Sequence, residues 1–176
     1  KQNVYEESGA WVEYMDEKEK RQRRCCFTGH RPEKLLVTEQ ELRDKLTSAI
    51  KEAITDGYCT FISGMSRGTD LWAADVVLQL KSQYTHIHLI CAVPYPDFEK
   101  KWDKHWQILY HNILSRADLV RIISPHYHDG CYQKRNCWMV DHSSRVIAVY
   151  NGSRGGTQNT IRYTQKCAVH ISLCYP

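Results

Sequence analysis

Cys26-Phe27-Thr28-Gly29-His30-Arg31-Pro32 and Phe61-Ile62-Ser63-Gly64-Met65-Ser66-Arg67-Gly68-Thr69-Asp70 share one design. Each is a short apolar run that breaks at glycine, and a helical pattern follows both. Glycine lacks a side chain, so backbone N–H groups can approach a ligand closely and the turn can take positive φ. A helix N-terminus adds free donors and partial positive charge. A third glycine pair, Gly155-Gly156-Thr157, opens the last helical pattern. The three loops together predict a phosphate-sized anion site.

Outward from these loops, apolar runs and helical periodicity alternate. Strands are expected at 25–28, 59–63, 87–93, 119–123, 145–150 and 169–173. Helices are expected at 39–56, 69–82, 98–116, 132–143 and 156–167. In the first helix Leu42, Leu46, Ile50, Ala53 and Ile54 share a face. Thr38 with Glu41 three residues on is the capping-box pattern. In the third, Trp102, Trp106, Leu109 and Ile113 form a stripe, read as core. Alternating strands and helices predict an α/β fold, Rossmann-like and doubly wound, with a mainly parallel sheet and helices on both faces. Ligands of such sheets bind beyond the carboxyl ends of the strands, at the switch point. All three glycine loops follow strands and fall on that edge.

The 176 residues suit one domain. Residues 25–176 are assigned to it. Residues 1–24 are read as an N-terminal extension, helical or partly ordered, with an amphipathic hint in Trp11, Tyr14 and Met15. The chain begins at Lys1 rather than Met, so its natural start is expected upstream. Hydrophobic content of 42% supports a core, and 25% charged residues argues against gross disorder. The apolar runs are strand-sized, far short of the roughly 18 residues of a membrane helix. No secretory-signal pattern is present. The net charge of +4 permits anionic ligands without demanding nucleic acid. Much of the excess lies in Lys18, Lys20, Arg21, Arg23 and Arg24, read as a solvated helix end. Eight cysteines include no Cys-x-x-Cys pair, and several fall in strands as small hydrophobes. A reducing cytoplasm is the expected location.

The motifs resemble those of a known family. Cys26 to Leu35, Ser63 to Ala74, Gln133 to Asp141 and Gly155-Gly156-Thr157 are similar to the YpsA-like family. That family belongs to the SLOG superfamily, alongside DprA (Smf) and the LOG phosphoribohydrolases. The resemblance covers about residues 25–174 and implies a Rossmann-like fold with a nucleotide-derived ligand. LOG enzymes carry Gly-Gly-x-Gly-Thr-x-x-Glu, and the glutamate serves in glycosidic cleavage. Here that position holds Thr160. A hydroxyl replaces a carboxylate neither as base nor as stabiliser of an oxocarbenium-like centre.

The candidate ligand-binding residues follow from the loops and the resemblance. Thr28, Gly29, His30 and Arg31 close the first loop. Gly29 N–H and the Thr28 hydroxyl are expected on phosphate or ribose, with His30 or Arg31 adding charge; the alternative is a tight turn capped by His30. Ser63, Gly64, Met65, Arg67 and Gly68 form the second loop, with Arg67 as a phosphate clamp. Asp70 is either a ribose acceptor or a helix-dipole partner. Arg135 and Asn136 are assigned to phosphate, base or loop, and Tyr127 to base stacking or a core lid. Gly155, Gly156 and Thr157 form an anion nest. His126-x-His128-Asp129-x-Cys131 has zinc-compatible residue types, but its spacing fits no standard site, so no metal is assigned. No Walker loop exists.

The expected function is binding of a nucleotide or nucleotide-derived small molecule, as a sensor or regulatory module. The reading leans away from an enzyme, and no cofactor beyond that ligand is assigned. One alternative is a nucleoside-phosphate hydrolase acting on the N-glycosidic bond without the usual glutamate. The other is DprA-like binding of single-stranded nucleic acid. No membrane partner is expected. Superfamily relatives often dimerise, which makes a homodimer a further expectation.

Overall fold

The computed structural model describes residues 2–5 and 11–175. Six strands form one wholly parallel sheet: β3 (Arg24–Gly29), β4 (Thr60–Ser63), β5 (His88–Val93), β6 (Leu119–Ile122), β7 (Arg145–Val149) and β8 (His170–Cys174). Their spatial order is β6-β5-β4-β3-β7-β8. The chain enters at β3, winds outward to β6, then crosses back to β7 beside β3. The switch point therefore lies between β3 and β7. The crossover helices are α2 (Glu39–Thr55), α3 (Thr69–Leu80), α4 (Lys104–Arg116), α5 (Cys131–Asp141) and α6 (Gly156–Lys166). Helices α2, α3 and α4 pack in a row on one face; α5 and α6 pair on the other. Each face encloses its own apolar cluster, one around Phe27, Leu46, Phe61, Leu71 and Ile113, the other around Cys26, Ile62, Met139 and Val146. This is the expected Rossmann-like α/β architecture.

The local signals explain the element boundaries. Thr38 accepts from the Glu41 N–H and Glu41 accepts from the Thr38 N–H, the full reciprocal cap of α2. Leu42, Leu46, Ile50 and Ala53 are buried along its inner face. The expected helix at 98–116 begins later, at Lys104. Asp97 takes φ +64°, and Pro94 and Pro96 precede it, so residues 98–103 form turns. Trp102 thus lies before the helix rather than on its stripe. The buried stripe is Trp106, Tyr110 and Ile113. Trp102 packs edge-on against Phe98 (4.9 Å) and Tyr110 (5.7 Å), and Trp106 against Trp72. Both tryptophans belong to the core.

The described residues of the N-terminal segment include a strand pair and a short helix. Strand β1 (Gln2–Tyr5) pairs antiparallel with β2 (Trp11–Tyr14). Among the described residues before β3, helix occurs at α1 (Glu17–Gln22), which Asp16 and Glu19 cap reciprocally. The side chains of Trp11 and Tyr14 lie outside the described residues. The basic run is not simply solvated. Arg21 donates to the Asp141 carbonyl (2.8 Å), and Arg24 pairs with Glu17 (2.9 Å), tying α1 to the domain. The eight cysteines are free. No described helix is long and apolar enough to cross a membrane.

Candidate functional site

The loops after β3, β4 and β7 meet at the carboxyl edge of the sheet, around a cavity of about 480 Å³. Of the expected residues, Thr28, Gly29, His30, Arg31, Arg67, Asp70, Arg135, Asn136, Gly155, Gly156 and Thr157 line it. Phe27, Glu33, Lys34, Ser66, Tyr132 and Met139 line it as well.

The first loop is set by steric fit. Gly29 ends β3 opposite Val149, and a Cβ there would fall within 2.6 Å of the Thr69 side chain. Thr69 in turn donates its hydroxyl to the His30 carbonyl (3.0 Å). His30 is buried and stacks on Tyr150 at 5.7 Å. The Asn151 N–H donates to its Nε2 (3.3 Å), so the ring proton sits on Nδ1. Burial and then the nearby Lys34 charge lower its pKa below the ordinary 6.5. His30 is therefore a neutral capping group and not the source of charge, which falls to Arg31 and Lys34. A depressed histidine pKa means the folded state prefers the neutral ring. The stability this contributes is present above pH 6.5 and is lost as pH falls through the lower folded value. His30→Gln keeps an acceptor but does not titrate. Its urea midpoint is expected to fall less than that of the parent chain between pH 7.5 and 5, a difference read from denaturation series across that range.

The second loop is closed on itself. The Met65 N–H donates to Ser63 Oγ (3.2 Å), the Ser66 N–H to Asp70 Oδ2 (3.3 Å), and the Thr69 N–H to the His30 carbonyl (3.4 Å). These three amides are engaged by the protein itself. Ser63, Gly64, Met65 and Gly68 do not line the cavity; they are the scaffold beneath it. Met65 is fully buried at φ +63°, a left-handed conformation unusual for a side-chain-bearing residue. Gly68 takes φ +84° and lies against Pro32, leaving no room for a Cβ.

What the second loop builds is a buried ion pair. Arg135, from α5, reaches across to donate to the Gly64 carbonyl and to Ser66 Oγ (3.2 Å). Its Nη1 lies 3.8 Å from Asp70 Oδ2, and the two side chains are only 5% and 9% exposed. A Cβ on Gly64 would collide with both. Burial pushes the Asp70 carboxyl above the usual carboxylate range, against the pull of Arg135. Arg135 Nε also donates to Asn136 Oδ1 (2.7 Å), and Asn136 Nδ2 to Thr160 Oγ1 (3.0 Å). Thr160 donates onward to the Gly156 carbonyl (2.9 Å). One hydrogen-bonded wall thus runs from the second loop through α5 to the first turn of α6.

The third loop is open. Gly155 takes φ +148°, and no side chain caps the α6 N-terminus. A Cβ on Gly156 would meet nothing within 4 Å. Lys34 Nζ sits 3.4 Å from where a Gly155 Cβ would lie and donates to the Arg154 carbonyl (3.2 Å).

Two expectations change in place. Tyr127 is 59% exposed, packs edge-on against Tyr95 and does not line the cavity. Tyr132, the second residue of α5, lines it instead, its hydroxyl 3.0 Å from that of Tyr95. Arg67 is not a free clamp: its Nη2 pairs with Glu33 Oε1 at 2.8 Å. In the His126–Cys131 segment, His128 Nδ1 donates to the Asp129 carbonyl and Nε2 faces Ser124 Oγ. No group of three metal-ligating side chains occurs among the described residues.

Known proteins agree with this architecture. The family model described as YspA SLOG family matches residues 25–171. The SPbeta prophage-derived protein YoqJ of Bacillus subtilis (strain 168) is 34% identical over 142 residues, covering 73% of this chain and 83% of YoqJ. A UPF0398 protein of Bacillus pumilus is 26% identical, covering 75% of each chain. Among solved structures, DNA processing protein A of Helicobacter pylori, described by its single-stranded DNA binding mode, superposes with a TM-score of 0.61 at 16% identity. That match covers 85% of this chain and 64% of the neighbour. With the family model spanning nearly all of the parallel-sheet domain, the chain belongs to the YpsA family of the SLOG superfamily.

Proposed function

We propose that this domain binds a nucleotide or nucleotide-derived ligand, with its anionic group at the N-terminus of α6, and serves as a ligand-responsive module. One observation carries the reading. The open Gly155-Gly156-Thr157 turn and the Lys34 ammonium meet in a cavity at the β3–β7 switch point, which Arg31 also lines. Uncapped helix N–H groups with a cation beside them favour a phosphate or carboxylate. Asp70, Asn136, Ser66 and Tyr132 also line the cavity and offer polar partners and one ring to a sugar or base. The cavity volume is in the range of small-ligand sites. Thr160 is buried and bonded to Asn136 and Gly156, at the position where the LOG motif has its glutamate. This supports binding over glycosidic cleavage.

The DprA neighbour supports a second reading, single-stranded DNA across the same edge. Titration calorimetry with AMP and with a twelve-residue oligothymidylate at about 50 and 200 mM salt separates the two. The expected result is AMP binding with weak salt dependence and no adenine released on incubation. An affinity for the oligonucleotide that falls steeply with salt, with none for AMP, favours the DNA reading instead. Free adenine overturns the non-enzymatic reading.

A further inference from the structure

The segment that follows the first glycine loop crosses the cavity as a strap. Pro32–Lys34 is a single 3-10 turn with no buried residue, and Leu36 beyond it is 91% exposed. Leu35 and Val37 anchor its far end against the core, while Glu33 and Lys34 stay exposed. The turn itself is tied at its two sides. On one, Glu33 Oε1 pairs with Arg67 Nη2 of the second loop (2.8 Å). On the other, the Lys34 carbonyl accepts from Asn151 Nδ2 (2.9 Å) and Lys34 Nζ donates to the Arg154 carbonyl. Glu33, Lys34 and Arg67 all line the cavity. Arg67 is the cation of the second loop that is not buried with a partner beneath the floor, and its partner is a carboxylate more than half exposed. A carboxylate presents a guanidinium with the same planar, charge-assisted bonds that a phosphate does.

The geometry points to Glu33 as a built-in competitor for the ligand's anionic group: its carboxylate holds Arg67, a further cation lining the same cavity, until the anion seated at the α6 turn exchanges for it and frees that side of the strap. This rests on the binding reading above. Glu33 then sets affinity by opposing it, and the strap reports occupancy because its tie to the second loop exists only in the empty site. The Glu33 end of the pair is more than half exposed, so solvent competes for it and the exchange is easy.

AMP titrations of the parent chain, E33Q, R67Q and the double variant test this. Glu33 is exposed and caps nothing, so E33Q folds with an unchanged melting midpoint. E33Q is expected to bind AMP on the order of fivefold more tightly, as the loss of one competing exposed pair allows. In the R67Q background the same change is expected to bring no gain. Equal or weaker binding by E33Q, or a gain that persists without Arg67, overturns the competitor role and leaves the binding reading intact. Absence of AMP binding in the parent chain and E33Q alike overturns both.

Discussion

Arg135→Ala is expected to cost about 3–5 kcal/mol of folding stability, the range for removing one partner of a buried ion pair. Against a typical total of about 5–15 kcal/mol, that is enough to unfold a marginal domain at physiological temperature. The cause is not the loss of one 3.8 Å contact. Arg135 is 4% exposed and Asp70 7%. Removing the guanidinium strands the Asp70 carboxylate in the core and takes the donor from the Gly64 carbonyl. It also opens the wall that runs through Asn136 and Thr160 to α6. The pH dependence identifies the mechanism. Burial already raises the Asp70 pKa, and Arg135 is the main group opposing it. Without Arg135 the folded state holds a proton on Asp70 more tightly than the unfolded chain does. The deficit of the variant should therefore be largest above neutrality and shrink as pH falls. Asp70→Asn in the Arg135→Met background keeps an acceptor for the Ser66 N–H and removes the stranded charge. It should recover part of the loss. Urea denaturation of the parent chain, Arg135→Met, Asp70→Asn and the double variant measures the coupling. A single-variant cost under about 1 kcal/mol, or one independent of pH, would show that the pair is solvated.

The elements that sequence made legible were those whose signals are local. The Thr38–Glu41 cap and the four-residue spacing along α2 are written within a few residues of each other, and both are realised. The glycine loops were legible as loops, and their convergence followed from their common position after parallel strands. Their chemistry was not, because it depends on residues distant in the chain. Gly64 reads as a residue freeing an amide for a ligand; it is glycine because Arg135, 71 positions on, passes over it. Gly29 makes room for Thr69. Arg67 reads as a free clamp until Glu33 is brought across the cavity. Tyr127 reads as a stacking ring, but it packs on Tyr95 outside the cavity, and Tyr132 at the start of α5 lines it instead. Glu33 and Lys34 lie within the Cys26–Leu35 motif, yet a polar turn after proline carries no local mark of facing a cavity rather than solvent.

Gly156→Asp is expected to weaken AMP binding by about tenfold to a hundredfold while leaving the domain as stable as before. The two effects separate because of where Gly156 sits. A Cβ there meets nothing within 4 Å, and no positive φ is required of it, so a side chain enters open space. A carboxylate in the first turn of an 11-residue helix is favoured by the helix dipole, by about 0.3–1 kcal/mol. Stability should hold or rise slightly. The same carboxylate occupies the N–H groups that would meet the ligand's anion and repels it at close range, where one unscreened contact at effective dielectric 20 is worth up to about 4 kcal/mol. Gly156→Ala is the control. It fills the same space without charge and leaves the backbone donors in place, so its affinity should stay within about threefold of the parent chain, given the small steric change. Calorimetric titration with AMP and thermal unfolding of both variants supply the readings. If Gly156→Asp binds AMP as the parent does, the anion lies elsewhere, and the α6 N-terminus is an ordinary helix start. If Gly156→Ala fails as completely as Gly156→Asp, the turn is selected for its backbone fit to the ligand rather than for its charge.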